Sequence, residues 1–148
     1  MIALLQRVSE ARVDVDGETV GQIQAGILAL VAVERGDGEA QASRMLERIL
    51  GYRIFADAQG RMNRSLKDTG GGLLLVSQFT LAADTASGMR AGFSGAATPE
   101  DGEREFSRLV EMARAAYSPV ETGRFRTHMQ VHLINDGPVT FHLRVAPA

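Results

Sequence analysis

Two short stretches carry the side chains whose types and spacing could do chemistry. In Ser77-Gln78-Phe79-Thr80, three polar side chains stand at the end of an apolar run, Leu73 to Val76, where a core has no use for them. Strand ends are where backbone N–H groups run out of ladder partners, so such a segment suits an oxyanion. It also reads as a strand ending in a polar turn. The second stretch is Asn135-Asp136-Gly137-Pro138-Val139-Thr140, between two apolar-alternating runs. Asn, Asp, Gly and Pro are the commonest turn residues, and a hairpin is the simple reading. Pro138 resists it, because it cannot donate to a ladder and pushes Gly137 away from the helical region. The turn is therefore stiff, exposes carbonyls and is compatible with a cis bond.

Thr80 offers a hydroxyl nucleophile, but no His, Asp or Lys in its motif stands ready to activate it. His132 and His142 come close if the strands flanking the turn pair with each other. They lack a third ligand at a convincing spacing, so no metal site is expected. There is no Gly-x-Ser-x-Gly elbow and no Walker loop, and no cofactor is expected. Gly70-Gly71-Gly72 precedes a strand rather than a helix, which makes it a hinge or tight loop and a poor phosphate cradle. Arg61, Arg64, Lys67 and Arg90 flank Ser77–Thr80 in sequence, as a solvated surface or a local phosphate patch.

The chain has 148 residues, 45% hydrophobic and 23% charged, which suits one domain over residues 1–148 with a real core. Absence of cysteine excludes disulfides, thiolate metal sites and a cysteine nucleophile, and fits a reducing cytoplasm. No signal-peptide pattern opens the chain, and its longest apolar run, Ile27 to Val33, is too short to span a bilayer, so no membrane partner is expected. The net charge of −2 excludes a generic nucleic-acid coat, and an RNA substrate would need a local basic patch.

The elements that must position these residues follow from periodicity. Ile2 to Val8 reads as a strand, and Ala11, Val13 and Val15 alternate with charges as a second half-buried one. Asp16-Gly17 signals a hairpin, with Val20 and Ile23 on the returning strand. Ile27 to Val33 is a strand buried on both faces. Asp37 is placed to cap a helix from Glu39 to Leu50, with Gly51 just beyond its end. Tyr52 to Phe55 reads as a short strand, Asp57 to Asn63 as a loop and Leu73 to Gln78 as a buried strand. Ala82 to Ala97 has no period and is long enough for a functional loop. Thr98-Pro99 starts a second helix with the stripe Phe106, Leu109, Val110, Ala113 and Tyr117, and Ser118-Pro119 ends it. Two strands, His128 to Ile134 and Val139 to Val145, close the chain. The expected class is α+β: a curved antiparallel-rich sheet or partly closed β-barrel covered by two main helices. Its edge strands and apolar area call for a homodimer.

Five stretches together resemble the D-aminoacyl-tRNA deacylase (D-tyrosyl-tRNA deacylase) family: Ala3 to Val8, Arg53-Ile54-Phe55, Met62-Asn63 with Ser65-Leu66, Val76 to Leu81, and Asn135 to Thr140. They fall in the family's order over nearly the whole chain. The sequence departs at Arg126-Thr127, where the family usually has Gly-Ala, and at Ala91, where Pro is frequent. The resemblance implies a cytoplasmic homodimeric hydrolase that proofreads translation by cleaving the ester of D-aminoacyl-tRNA. It implies that Ser77, Gln78, Phe79 and Thr80 line the catalytic pocket, with Phe125 and Met129 nearby, and that the pocket holds the 3′ terminal adenosine. It implies a cis Gly137-Pro138 that reaches into the partner's site as a chiral gate, with Arg7 supporting the loop, and it counts Arg7 and Asn135 with Phe125 and Met129 among the substrate-pocket residues. Glycyl-tRNA, having no side chain to reject, is expected to leak through. The residues alone leave a second function open, a non-catalytic dimeric binding module whose Gly-Pro turn is an interaction loop.

Overall fold

The computed structural model describes residues 1–148. Its organising element is β1, Ile2–Val15, one unbroken strand where the periodicity suggests two. It pairs antiparallel with β2 (Glu18–Ile23) through its second half and with β3 (Gly26–Ala32) through its first half. Along its other edge it pairs antiparallel with β8, Gln130–Arg144. β3 continues the sheet into parallel β6 (Gly72–Ser77), and β6 into parallel β7 (Val120–Thr122). The sheet is therefore mixed.

The curl of the sheet is nearly a closed barrel, because β2 folds back towards β7. Gly21 makes that approach possible: a Cβ there would overlap the Thr122 carbonyl oxygen and lie 3.3 Å from Leu74 Cδ1. Two apolar clusters share the sheet. Ala3, Leu5, Ile27, Ala29, Val31, Leu73 and Leu75 face two helices, α1 (Glu39–Gly51) and α3 (Pro99–Ala116), and pack against Met45, Ile49, Phe106 and Leu109. Leu28, Leu74 and Val76 face the other way, into the curl, with Val8, Ala11, Val13, Val15 and Ile23. Burial on both faces explains why the β3 and β6 sequences are continuous apolar runs.

Thr98 caps α3 by accepting from the Asp101 N–H at 3.2 Å, with Pro99 at its first position as expected. At α1 the expectation fails. Gly38 is the N-cap, and Asp37 instead accepts from the Met1 ammonium at 2.9 Å and the Glu34 N–H at 2.7 Å. A full positive charge is a stronger partner for a carboxylate than a helix N–H group. Gly51 is the last residue of α1 rather than the residue beyond it, and Tyr52 ends the helix in extended conformation.

The region between α1 and β6 holds more structure than its composition suggests. The short strand lies at Phe55–Ala56 (β4) rather than 52–55. The segment read as a loop returns as β5, Met62–Arg64. Leu66–Thr69 is a one-turn helix, α2, capped by Ser65. The glycine run is a tight loop: Gly70, at φ 72°, ends α2 in the left-handed region, and Gly72 begins β6 packed against Ile23. Tyr117 locks this corner by donating to the carbonyls of Leu66 and Gly71, and burial raises its phenol pKa above the ordinary value. No helix is long and apolar enough to cross a membrane.

The C-terminal hairpin is the main correction. Residues 130–144 form one strand, not two strands around a turn. Gln6 faces Thr140 and Val8 faces Asn135, so Arg7 alone stands opposite residues 136–139. The Asn-Asp-Gly-Pro stretch is a large bulge, a looped excursion within a continuing ladder. His132 accordingly faces Arg12 and His142 faces Leu4. Eight residues of β1 separate those positions, about 26 Å of extended chain.

Candidate functional site

β6 ends at Ser77, where the Gln78 N–H donates to the Val31 carbonyl at 2.7 Å. The chain then tightens into a 3-10 turn, Phe79–Ala82. The Phe79 and Thr80 N–H groups open that turn and have no partner within it. Above this strand end lies a cavity of about 430 Å³, within the range of small-ligand pockets. Val31 of β3, Val33 just beyond its end, Ser77, Gln78 and Phe79 form one wall. Thr98, Pro99, Gly102 and Phe106 at the start of α3 form a second, and residues 125–129 with Val131 a third. The two apolar clusters meet here, Phe106 and Phe125 belonging to one side and Val76, Met129 and Val131 to the other. Phe106 and Phe125 stack with centroids 6.2 Å apart. No carboxylate lines the cavity, and its cationic or basic groups are Arg126 and His128.

The structure thus gathers Ser77, Gln78, Phe79, Phe125 and Met129 around one cavity. Thr80 stands just outside the lining, exposed, its hydroxyl accepting from the Gln78 side-chain amide. No basic side chain hydrogen-bonds to it.

Arg7, Asn135, Gly137 and Pro138 lie elsewhere. Arg7 faces Ile27, whereas the cavity begins at Val31, four residues or about 13 Å further along β3. Here Arg7 donates from Nε to the Asp136 carbonyl and from Nη1 to the Ile54 carbonyl, both at 2.8 Å. Asn135 staples the base of the bulge. Its Oδ1 accepts from the Val139 N–H at 2.7 Å, and its Nδ2 donates to Thr140 Oγ1 at 2.9 Å and Gln6 Oε1 at 3.1 Å. Neither residue lines the cavity of its own protomer; each holds the bulge. The Gly137–Pro138 bond is cis, Gly137 has φ 150°, and both residues are exposed.

The sequence reading passed over the start of α3, whose apolar and small residues have no chemical signature. Within 124–128 the resemblance names Phe125 for the pocket and Arg126-Thr127 as a departure from the family pattern, but assigns no role to Arg124 or His128. There the exposed residues Arg124, Arg126 and His128 alternate with the half-buried Phe125, Thr127 and Met129, and all of 125–129 line the cavity. Arg126 has φ 59°, a left-handed conformation that costs a residue with a side chain about 1–2 kcal/mol. Its contact with Glu100, 3.5 Å between two exposed groups, offsets about 0–1 kcal/mol of that.

The family model described as D-Tyr-tRNA(Tyr) deacylase matches residues 4–144, which include all three walls of the cavity and the bulge. The chain belongs to that family. By that membership it is a hydrolase. It is 67% identical over 145 residues to a D-aminoacyl-tRNA deacylase of Stenotrophomonas maltophilia (strain K279a), covering 97% of this chain and 99% of the relative. It is 64% identical over 148 residues to one of Alkalilimnicola ehrlichii, covering 100% of this chain and 99% of the relative. Among solved structures, one titled c-Myc DNA Unwinding Element Binding Protein superposes with TM-score 0.94 at 36% identity, covering 100% of both chains. One titled as a probable eukaryotic D-amino acid tRNA deacylase has TM-score 0.77 at 16% identity, covering 96% of this chain and 98% of the other, and bears on the fold alone.

Proposed function

We propose that the chain hydrolyses the ester of D-aminoacyl-tRNA as a homodimer, the bulge of each protomer completing the cavity of the other. The observation that carries this is a separation. The cavity at Ser77–Phe79 is left open by its own chain, while a bulge held at both ends stands exposed about 13 Å or more away. A C2 dimer joins two such surfaces reciprocally. The terminal adenosine occupies the space beside Phe125 and Met129, and the ester lies against the Ser77–Thr80 strand end.

The reaction needs no cofactor. Water adds to the ester carbonyl, the Phe79 and Thr80 N–H groups hold the developing oxyanion, and the ribose oxygen leaves with a proton. The free ribose hydroxyl beside the ester helps activate the water, which accounts for a cavity without a carboxylate general base. Thr80 places substrate rather than attacking it. Free D-amino acid and tRNA are released, in the cytoplasm where aminoacyl-tRNA is used.

A proofreader of many D-amino acids cannot read the side chain, since a methylene in a pocket discriminates by only about 10–200-fold. What its substrates share is the position of hydrogen on the α-carbon. Rejecting L-forms by about four decades needs roughly 5–6 kcal/mol. Gly137-Pro138, pinned from both sides, is rigid enough to act as a steric wall against an L-side chain. Glycyl-tRNA passes such a wall.

Deacylation of matched D- and L-tyrosyl-tRNA tests the reading. The D-form is expected to be cleaved and the L-form to survive. Comparable rates on the two would end the gate, and no cleavage of either would end the enzyme reading.

A further inference from the structure

We propose that Arg124 and Arg126, with His128 beside them, form a clamp for the phosphodiesters of the single-stranded RNA 3′ end, on the outer rim of the cavity. The inference rests on the substrate reading above and adds a site that this chain builds from its own residues. An adenosine seated beside Phe125 and Met129 carries a phosphodiester that must leave the cavity across its rim. Along 124–129, exposed and half-buried residues alternate and 125–129 line the cavity, so its apolar lining and its exposed cationic groups come from one segment.

The cationic or basic residues of this segment are Arg124, Arg126 and His128, all exposed; Arg126 and His128 line the cavity, and Arg124 stands next to its first lining residue, Phe125. Arg124 makes no ion pair and no side-chain hydrogen bond, and neither does the His128 ring. The only acid on Arg126 is Glu100, at 3.5 Å and well exposed, a partner that a phosphate displaces readily. No carboxylate lines the cavity to repel an anion. A chain with net charge −2 attracts RNA only through such a local concentration of cations.

The conformation of Arg126 argues the same way. Glycine would take φ 59° without strain, and the contacts that Arg126 makes within the chain do not explain a side chain there. A planar guanidinium offering paired N–H donors to phosphate oxygens does.

The test compares D-tyrosyl-tRNA with D-tyrosyl-adenosine, which has the ester and the base but no phosphate. The variant is Arg124→Ala with Arg126→Gly, the second change relieving φ so that folding is kept. Thermal unfolding of the purified variant checks this. Relative to the unmodified protein, kcat/KM on tRNA is expected to fall by about tenfold or more at low salt, and at least several-fold further than on the adenosine ester. The slope of log kcat/KM against log salt is expected to flatten by about 1.4, at about 0.7 for each lost phosphate contact. Equal losses on both substrates, or an unchanged salt slope, would overturn the clamp and leave the deacylase reading standing. An unmodified protein that cleaves neither substrate would overturn the substrate reading itself, and the clamp with it.

Discussion

Shared sites make a prediction that a self-contained site does not: two damaged proteins, mixed, should repair each other. The first partner is Arg7→Ala. It removes two charge-assisted hydrogen bonds of 2.8 Å, one from the Asp136 carbonyl and one from the carbonyl of Ile54, a fully buried residue. An acceptor left unsatisfied there costs about 1–3 kcal/mol, and the freed bulge adds to that. The total, about 2–4 kcal/mol, leaves a domain of ordinary stability folded but its bulge loose. The second partner is Gly102→Leu. Gly102 lies inside α3 and lines the cavity, and a Cβ there meets Phe125 Cζ at 3.6 Å, an ordinary contact. The helix gains up to about 1 kcal/mol from losing a glycine, while the leucine side chain fills space proposed for the adenosine. Each homodimer then has two defective sites. When subunits exchange at random, about half the dimers are mixed, and each holds one site with a sound cavity and a sound bulge. About a quarter of the full complement of sites returns. The assay is D-tyrosyl-tRNA deacylation after co-refolding the two variants at equal concentration. A mixture no more active than the mean of its parents would refute the shared site, placing bulge and cavity in one protomer or leaving the bulge without a role.

Three further outcomes are expected. Gly21→Ala should destabilise the protein by about 1–3 kcal/mol in urea titration, because the Cβ overlaps the Thr122 carbonyl where the barrel nearly closes; an unchanged midpoint would mean the closure is loose. Burial pushes the Glu34 carboxyl up, but Arg144 and the Met1 ammonium together outweigh it and hold its pKa below the ordinary value. Its stabilisation is therefore full above the unfolded carboxylate range and lost as pH falls through the folded pKa, so Glu34→Gln should flatten the stability profile between about pH 5 and 3. An identical profile in the variant would remove the pair from the account of acid sensitivity. Thr80→Ala should lower deacylation only modestly, whereas a substrate whose terminal ribose lacks the free hydroxyl should react far more slowly. A dead Thr80 variant beside a normally cleaved deoxy substrate would establish a covalent route instead.

What was legible in the sequence divides along a physical line. Continuous apolar runs in β3 and β6 disclosed a sheet buried on both faces, and Thr98-Pro99 disclosed the start of α3, because each signal is local. β7 and α2 escaped notice because three and four residues are too short to show a period. Asp37 was assigned to a helix cap because its competitor, the Met1 ammonium, lies 36 residues away in sequence. The bulge was misread for the same reason: only the register against β1 distinguishes a looped excursion in one strand from a turn between two.

The candidate site shows that division most clearly. Ser77 to Phe79 could be found because polar residues at the end of an apolar strand are anomalous where they stand. Arg7 and Asn135 could be named only through the family resemblance, which ties them to the loop, and the structure gives the physical reason. One side chain reaches across the ladder to the Asp136 carbonyl, and the other bridges Val139 and Thr140 back to Gln6. These are bonds that fix a backbone rather than groups that touch a substrate. A steric gate requires that arrangement. In the proposed gate, selectivity rests on how little Gly137 and Pro138 can move, so the residues that matter to it are those that stiffen the bulge. The rim at Arg124 to His128 follows the opposite logic. Its side chains Arg124, Arg126 and His128 are exposed and largely unpartnered, and the use proposed for them lies in what they have left free to bind.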